Sequence, residues 1–312
     1  MTLPHPSEVP FTRPASHHLA DPRLRTVRPV RVLDGAESYL GVRYAIPVGW
    51  RPLTLDLHVP LETAGPVPVV VYAHGGSFLG GVKEMGPWAA LLRHGIAVAS
   101  LDYRLAGEAR YPEPVEDVLA AIRWVRVHAH RYRLDPTRIA GWGSSAGGYL
   151  MALAALTGRI GRPVGDHPAV SARLSAVVLH YPVTDFSTIV EDAFEPTRAG
   201  LRTMVDVGSQ FFGFPLASRP DVVAGAAVSR AVAAASRVPP FRISHGDADH
   251  RCGLGQSRRL HEAVLAAGGQ STLEVVPGAD HATAVFSSPE VVHPAIEFLR
   301  DAWSSEREGA RT

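Results

Sequence analysis

Ser145 sits between Gly143 and Gly147 in the run GWGSSAGG. A serine hydroxyl attacks a carbonyl well only when a neighbouring base takes its proton and a third group orients that base. A Gly-x-Ser-x-Gly turn between a strand and a helix presents such a hydroxyl on a strained backbone, and the glycines avoid collisions between neighbouring segments. RIAGW before the motif reads as strand and AGGYLMALAAL after it as helix, so the context fits. Ser144 lacks glycines at the right offsets and is not the candidate nucleophile. Two later segments supply the partners: HGDAD at 245–249 and PGADH at 277–281. They make His281 the candidate base and Asp249 the candidate acid. Asp247 is the alternative carboxylate, and Asp280 reads as a loop residue because adjacent side chains rarely face each other.

A tetrahedral intermediate also needs backbone N–H groups aimed at its oxyanion. HGGSF at 74–78 follows a buried strand, and its small residues let backbone approach a substrate closely. Gly76 and Ser77, with Ala146 after the nucleophile, are the candidate donors, and His74 is expected to fix the loop by hydrogen bonds. His245, Asp247, Asp249 and His250 lie close in sequence, but nearness is not coordination geometry, and no metal is assigned. Cys252 reads as a small buried filler. Phe78 reads as a substrate contact, and Phe211 and Phe212, with Phe186, Phe194 and Met204, either line an apolar substrate pocket or pack an inserted segment's own core.

The elements that must carry these residues alternate. PVPVVVYAH and GIAVASLDY are continuous apolar runs, as expected of strands buried on both faces. Val115, Val118, Leu119, Ile122 and Val125 mark a helix between Pro114 and Arg131, with Glu116 and Asp117 complementing its positive end. LSAVVLHYP, FRISH and TLEVV read as strands; LHEAVLAAG and VVHPAIEFLRDAW read as helices. The alternation predicts a doubly wound, mainly parallel α/β sheet with right-handed crossovers. Each candidate catalytic residue then falls beyond the C-terminal end of a strand, the edge where open α/β sheets place ligands. VRVL, YLGVRYAI and LTLDLHV, between Val30 and Val59, read as antiparallel edge strands. Residues 1–29 carry six prolines and read as an N-terminal arm ahead of a single domain at 30–312. Residues 183–237 are too long for a plain loop and read as an inserted helical cap.

The 312 residues are 46% apolar and 20% charged, with a formal charge of +1, an ordinary globular balance. That charge gives no reason to expect nucleic acid or an anionic membrane as partner, although all but one of the 31 basic residues are arginines. The arginines are scattered rather than clustered. The single cysteine fits a reducing cytoplasm. No leader-like apolar stretch opens the chain and no run approaches 18 apolar residues, so a soluble protein is expected.

HGG-x-F, DYRL, G-x-S-x-G, HG-x-x-D and G-x-x-H occur here in one order, over roughly residues 53–182 and 239–303. Together they resemble the bacterial esterase branch of the α/β hydrolases: hormone-sensitive-lipase-like carboxylesterases and acetylxylan-esterase-like (BD-FAE-like) and formamidase-like enzymes. The order Ser145, Asp249, His281 is the order of that fold. The resemblance implies a carboxylesterase working through an acyl-enzyme on those three residues, without a cofactor, on a small acyl ester. The same triad serves aryl formamidases, peptidase-like amide hydrolases and tailoring thioesterases or acyltransferases. A remoter alternative is a ligand-binding protein that borrows the fold; such proteins typically lose a triad member, and all three stand here. Ser77 occupies a position usually glycine in the lipase-like branch, and Gly107 replaces the proline of DYRLAPE. Subunit number is not specified, and a homodimer is left open.

Overall fold

The computed structural model describes residues 27–49, 51–86, 88–195 and 197–309. The arm read at 1–29 therefore lies, up to residue 26, outside the described residues. The apolar runs become interior strands because both their faces find cover. β3 (Val67–Ala73), β4 (Ala97–Leu101), β5 (Leu134–Ser144) and β6 (Val177–His180) send alternate side chains to two different cores. On β3, Val69 and Val71 join one core while Val70 and Tyr72 join the other, the period of two that a pleated strand imposes. With β1 (Ala36–Ala45), β2 (Leu53–Pro60), β7 (Phe241–Gly246) and β8 (Ser271–Val276) they form an eight-stranded sheet of order β1-β2-β4-β3-β5-β6-β7-β8. β1 and β2 are antiparallel to their neighbours, and all other pairings are parallel.

Helices cover both faces. α1 (Trp88–Arg93) and α8 (Pro289–Gly309) enclose the smaller core. α2 (Glu113–His128), α3 (Ala146–Thr157) and α7 (Gly255–Ala266) cover the other face. The five apolar positions that predicted α2 are all fully buried. Glu116 lies in the first turn, where an acid complements the positive end, and both it and Asp117 are wholly buried, which the sequence did not suggest. Asp117 takes a bidentate ion pair from Arg104 and the Arg104 N–H, and Glu116 accepts from the N–H groups of Ile160 and Gly161, each at 2.8 Å. The helix end packs against the loop after β4, so the carboxylates are used to brace loops.

VRVL also differs. Only Val30 bridges, to Ser38, and Val30 and Val32 face solvent, so burial does not support a strand there. β1 starts later and bulges between Tyr39 and Val42, where the Gly41 N–H turns to Asp56 (2.6 Å).

Between β6 and β7 the chain builds α4 (Arg198–Phe212), α5 (Pro220–Gly225) and α6 (Val228–Ala234). Buried Gln256 on α7 fastens the start of this segment. Its amide oxygen accepts from the N–H groups of Thr184 and Asp185, each at 2.8 Å, and its amide nitrogen donates to Asp192 at 2.7 Å.

Two histidines are held neutral in the interior: burial lowers the pKa of His58 to about 4, and burial aided by Arg242 lowers that of His180 to about 3. The unfolded chain binds protons at these rings from about pH 6.5 downward while the folded chain does not, so stability rises with pH across that window. Between pH 6.5 and 4 the unfolding free energy is expected to fall by about 3 kcal/mol for each such ring. Urea unfolding at pH 7, 5.5 and 4.5 measures this. A midpoint that stays level or climbs toward acid contradicts it.

Candidate active site

β5 ends at Ser144, α3 begins at Ala146, and Ser145 forms the corner with φ +52° and ψ −118°. Such a conformation costs a non-glycine residue about 1–3 kcal/mol and persists only when its surroundings enforce it. The Ser145 N–H donates to His180 O (2.9 Å), and the N–H groups of Gly148 and Tyr149 return to Ser145 O. The flanking glycines have a steric reason. A Cβ on Gly143 would lie 2.4 Å from Gly147 O, and one on Gly147 would lie 2.1 Å from Ala73 O. Both obstacles are backbone and cannot swing away. Ser144 turns to the opposite layer, where its hydroxyl meets that of Tyr72 at 3.2 Å.

The loops after β7 and β8 bring the other two candidates to this corner. His281 Nε2 lies 2.9 Å from Ser145 Oγ, and His281 Nδ1 lies 2.7 Å from Asp249 Oδ2. A carboxylate can only accept, so Nδ1 carries the proton and Nε2 is free to accept from the serine hydroxyl. Asp249 has no exposure and is densely solvated by protein. Its Oδ1 accepts from the N–H groups of Arg251 (2.9 Å) and Cys252 (2.7 Å). Burial alone would raise its pKa, but the hydrogen bonds and charges of His245 and His281 outweigh that and hold it well below the carboxylate range. Asp249 stays ionised.

Asp247 points elsewhere: it is exposed and accepts the Gly278 N–H at 2.6 Å. Asp280 has a bracing part that its sequence position did not suggest. It accepts from the N–H groups of His281 (2.6 Å) and His250 (2.9 Å), tying the two loops together. Of the four residues weighed as metal ligands, Asp247 turns to the Gly278 N–H and His250 to Asp280, leaving His245 and Asp249 together, and among the described residues no group of three or more suitable side chains could hold an ion.

Two contributors escaped the sequence reading. His245 is fully buried beneath the acid; its Nε2–H is shared between Cys252 O (2.6 Å) and Asp249 Oδ2 (3.1 Å), while Nδ1 meets the Ser257 hydroxyl at 2.6 Å. The HG-x-x-D spacing was its only signal. Tyr181, just past β6, sets its ring edge to face against His281 with centroids 4.7 Å apart. Nothing in its sequence position marked it. Cys252 is buried, its thiol against Pro182 O (3.3 Å), and burial pushes its pKa far up, which suits a packing residue.

The HGGSF loop packs directly on the serine corner: a Cβ on Gly75 would come within 3.3 Å of Ser145 Cβ. Gly76 (φ +124°), Ser77 (φ +57°) and Phe78 (φ +60°) coil the loop back so that Gly76 O accepts from the N–H groups of Leu79 and Gly80, each at 3.0 Å. The N–H groups of Gly76, Ser77 and Ala146 have no acceptor among the described residues, and are available to a ligand. His74 is buried, stacks on Tyr103 and donates from Nδ1 to Gly75 O at 2.7 Å.

Phe78, Phe211 and Phe212 form a packed cluster with Tyr149 and Phe186. Phe78 stacks on Phe211 at 4.0 Å, and none of the three is more than 5% exposed. An acyl chain would reach them only by displacing their neighbours. The cluster ties the HGGSF loop to α4 and fits packing, one of the two readings of Phe211 and Phe212; Phe78, read as a substrate contact, packs with them.

Residues 55–264, more than half of the chain, match the BD-FAE family model. The chain belongs to the BD-FAE family. The match takes in Ser145 and Asp249, and His281 lies beyond its end. Among curated proteins this BD-FAE chain is similar to the probable carboxylic ester hydrolase LipM of Mycobacterium tuberculosis, 29% identical over 84% of this chain and 59% of LipM. It is also similar to the carboxylesterase NlhH of the same organism, 35% identical over 56% of this chain and 53% of NlhH. The chain thus spans somewhat over half the length of these relatives. A solved structure of a truncated carbohydrate esterase from gut microbiota superposes with a TM-score of 0.75 at 24% identity, covering 88% of this chain and 99% of that one. Sheet order and this superposition make the architecture an α/β-hydrolase fold. Among the described residues no helix is long and apolar enough to cross a membrane.

Proposed function

We propose that this BD-FAE chain is a carboxylesterase that cleaves small acyl esters through an acyl-enzyme on Ser145. The supporting observation is the unbroken chain of contacts from hydroxyl to imidazole to carboxylate, at 2.9 and 2.7 Å. Ser145 Oγ attacks the acyl carbonyl as His281 Nε2 takes its proton. The resulting imidazolium is held by Asp249, which stays charged. The carbonyl oxygen, now an oxyanion, receives the N–H groups of Gly76, Ser77 and Ala146, a donor set in which each member is worth about 3–4 kcal/mol. The C–O bond to the alcohol breaks, and the alcohol leaves with the proton from Nε2. Water then attacks the acyl carbon, again giving its proton to Nε2, and Ser145 leaves with that proton as the acid is released.

The names of LipM and NlhH, both given as ester hydrolases, support ester over amide bonds. The helices at 183–237 act as a cap beside this site, joined to it through Phe78 and Phe211. The buried, unpaired thiol of Cys252 suits a reducing compartment. A panel of nitrophenyl esters, formyl amides and acyl thioesters tests the bond type. Ester turnover at least about tenfold above the other two in kcat/KM is expected. Faster turnover of the amides or thioesters would replace the ester reading with theirs.

A further inference from the structure

Arg251 follows Asp249 by two residues, and its backbone N–H helps to solvate that acid. Its side chain goes elsewhere. Nη1 donates to Ser77 Oγ at 3.3 Å, on the loop after β3. In the sheet, β3 and β7 are separated by β5 and β6. At about 4.8 Å per strand that is a span of about 14 Å. The link from the loop after β7 to the loop after β3 therefore passes over the C-terminal ends of β5 and β6, and β5 is the strand that delivers Ser145. The exposed Arg251 side chain thus joins two loops of the sheet edge on which Ser145 sits.

Its charge is unanswered. The carboxylates placed near it meet other partners: Asp249 meets His281 and His245, Asp280 and (at 4.0 Å) Glu195 meet His250, Asp247 meets the Gly278 N–H, and Asp192 meets Gln256 and Arg259. Among the described residues Arg251 forms no ion pair, and its side chain has only a neutral hydroxyl as partner. Arginine's planar fork is matched to a carboxylate, which a serine hydroxyl replaces poorly. Ser77 adds a second sign. It holds φ +57°, a conformation that favours glycine, and its hydroxyl is what receives Arg251.

On the carboxylesterase reading above, we propose that Arg251 is a specificity determinant that selects esters carrying a carboxylate group, which replaces Ser77 Oγ as the partner of the guanidinium when substrate binds. The anion can belong to the acyl part or to the alcohol part, and two substrate pairs separate these. The first pair is mono-4-nitrophenyl glutarate against 4-nitrophenyl butyrate. The second is the acetate ester of 3-hydroxybenzoate against phenyl acetate.

The protein is expected to prefer the charged member of at least one pair in kcat/KM. In Arg251→Gln that charged-over-neutral ratio is expected to drop about tenfold, chiefly through KM, and Arg251→Lys to restore most of it. Raised salt should shrink the preference in the same direction. Equal turnover within both pairs by the unaltered protein would overturn the proposal. So would an Arg251→Gln variant that loses activity on charged and neutral esters alike, because that is the mark of a purely structural contact. If neither pair shows turnover that Ser145→Ala abolishes, the carboxylesterase reading itself fails, and the proposal falls with it.

Discussion

Ser145→Ala is expected to lower kcat/KM for 4-nitrophenyl butyrate by about 10⁶-fold, to a residue that the oxyanion donors alone sustain. The size follows from the loss of covalent catalysis. Without Oγ there is no acyl-enzyme, and His281 has nothing to deprotonate but water. The fold should not suffer. Among the described residues the hydrogen-bond partner of Ser145 Oγ is His281, while the backbone bonds from Ser145 N–H to His180 O and from Gly148 N–H to Ser145 O remain. The melting temperature of the variant is expected to match or slightly exceed that of the parent, since a buried polar group at a strained corner has been removed. A purified, folded variant keeping a tenth of the activity would show that the nucleophile is elsewhere.

Asp249→Asn carries the next largest effect, about 10⁴-fold in kcat. Four N–H donors converge on this carboxylate: Arg251 and Cys252 on Oδ1, His245 and His281 on Oδ2. An amide has one accepting oxygen, so either orientation sets its NH₂ against two of those donors. If NH₂ faces His281, Nδ1 must give up its proton and accept. Nε2 then carries the hydrogen and can no longer take the one on Ser145. If NH₂ faces the backbone instead, two buried N–H groups lose their acceptor, at about 1–3 kcal/mol of stability. Asp247→Asn is the matched control, because among the described residues Asp247 accepts the Gly278 N–H alone, and it is exposed. Steady-state kinetics and thermal unfolding of both variants decide the matter. Similar activity in the two would remove Asp249 from the mechanism. The sign of the pH effect is fixed by the same geometry. A carboxylate with a depressed folded pKa contributes stability above about pH 4, lost only as pH falls toward its folded value. Asp249 should therefore impose no acid limb on activity near neutrality.

The serine corner was legible because its constraint is local: Gly143 and Gly147 meet backbone oxygens of nearby segments, and only glycine fits. The interior strands were legible because burial on two faces demands continuous β-branched runs, as in β3. What escaped depends on contacts between distant loops. Asp249 was favoured over Asp247, but the two look alike in a line of text, and the turn after β7 is what sends one inward and the other to solvent. Glu116 and Asp117 suited a helix end so well that their burial against Arg104, Ile160 and Gly161 had no sequence signature. The phenylalanines were ambiguous because apolar pockets and apolar cores use the same residues. Arg251 was one arginine among thirty-one basic residues until its contact with Ser77 joined the loop after β7 to the loop after β3.

The central claim is that the Ser145 hydroxyl, activated by His281, is the attacking group. Treatment with a fluorophosphonate followed by peptide mass spectrometry tests it most directly. One phosphonyl adduct is expected, on the peptide containing Ser145 and at that residue, with labelling all but absent in His281→Gln. An adduct on another residue, or a folded protein that takes up no label, would contradict it.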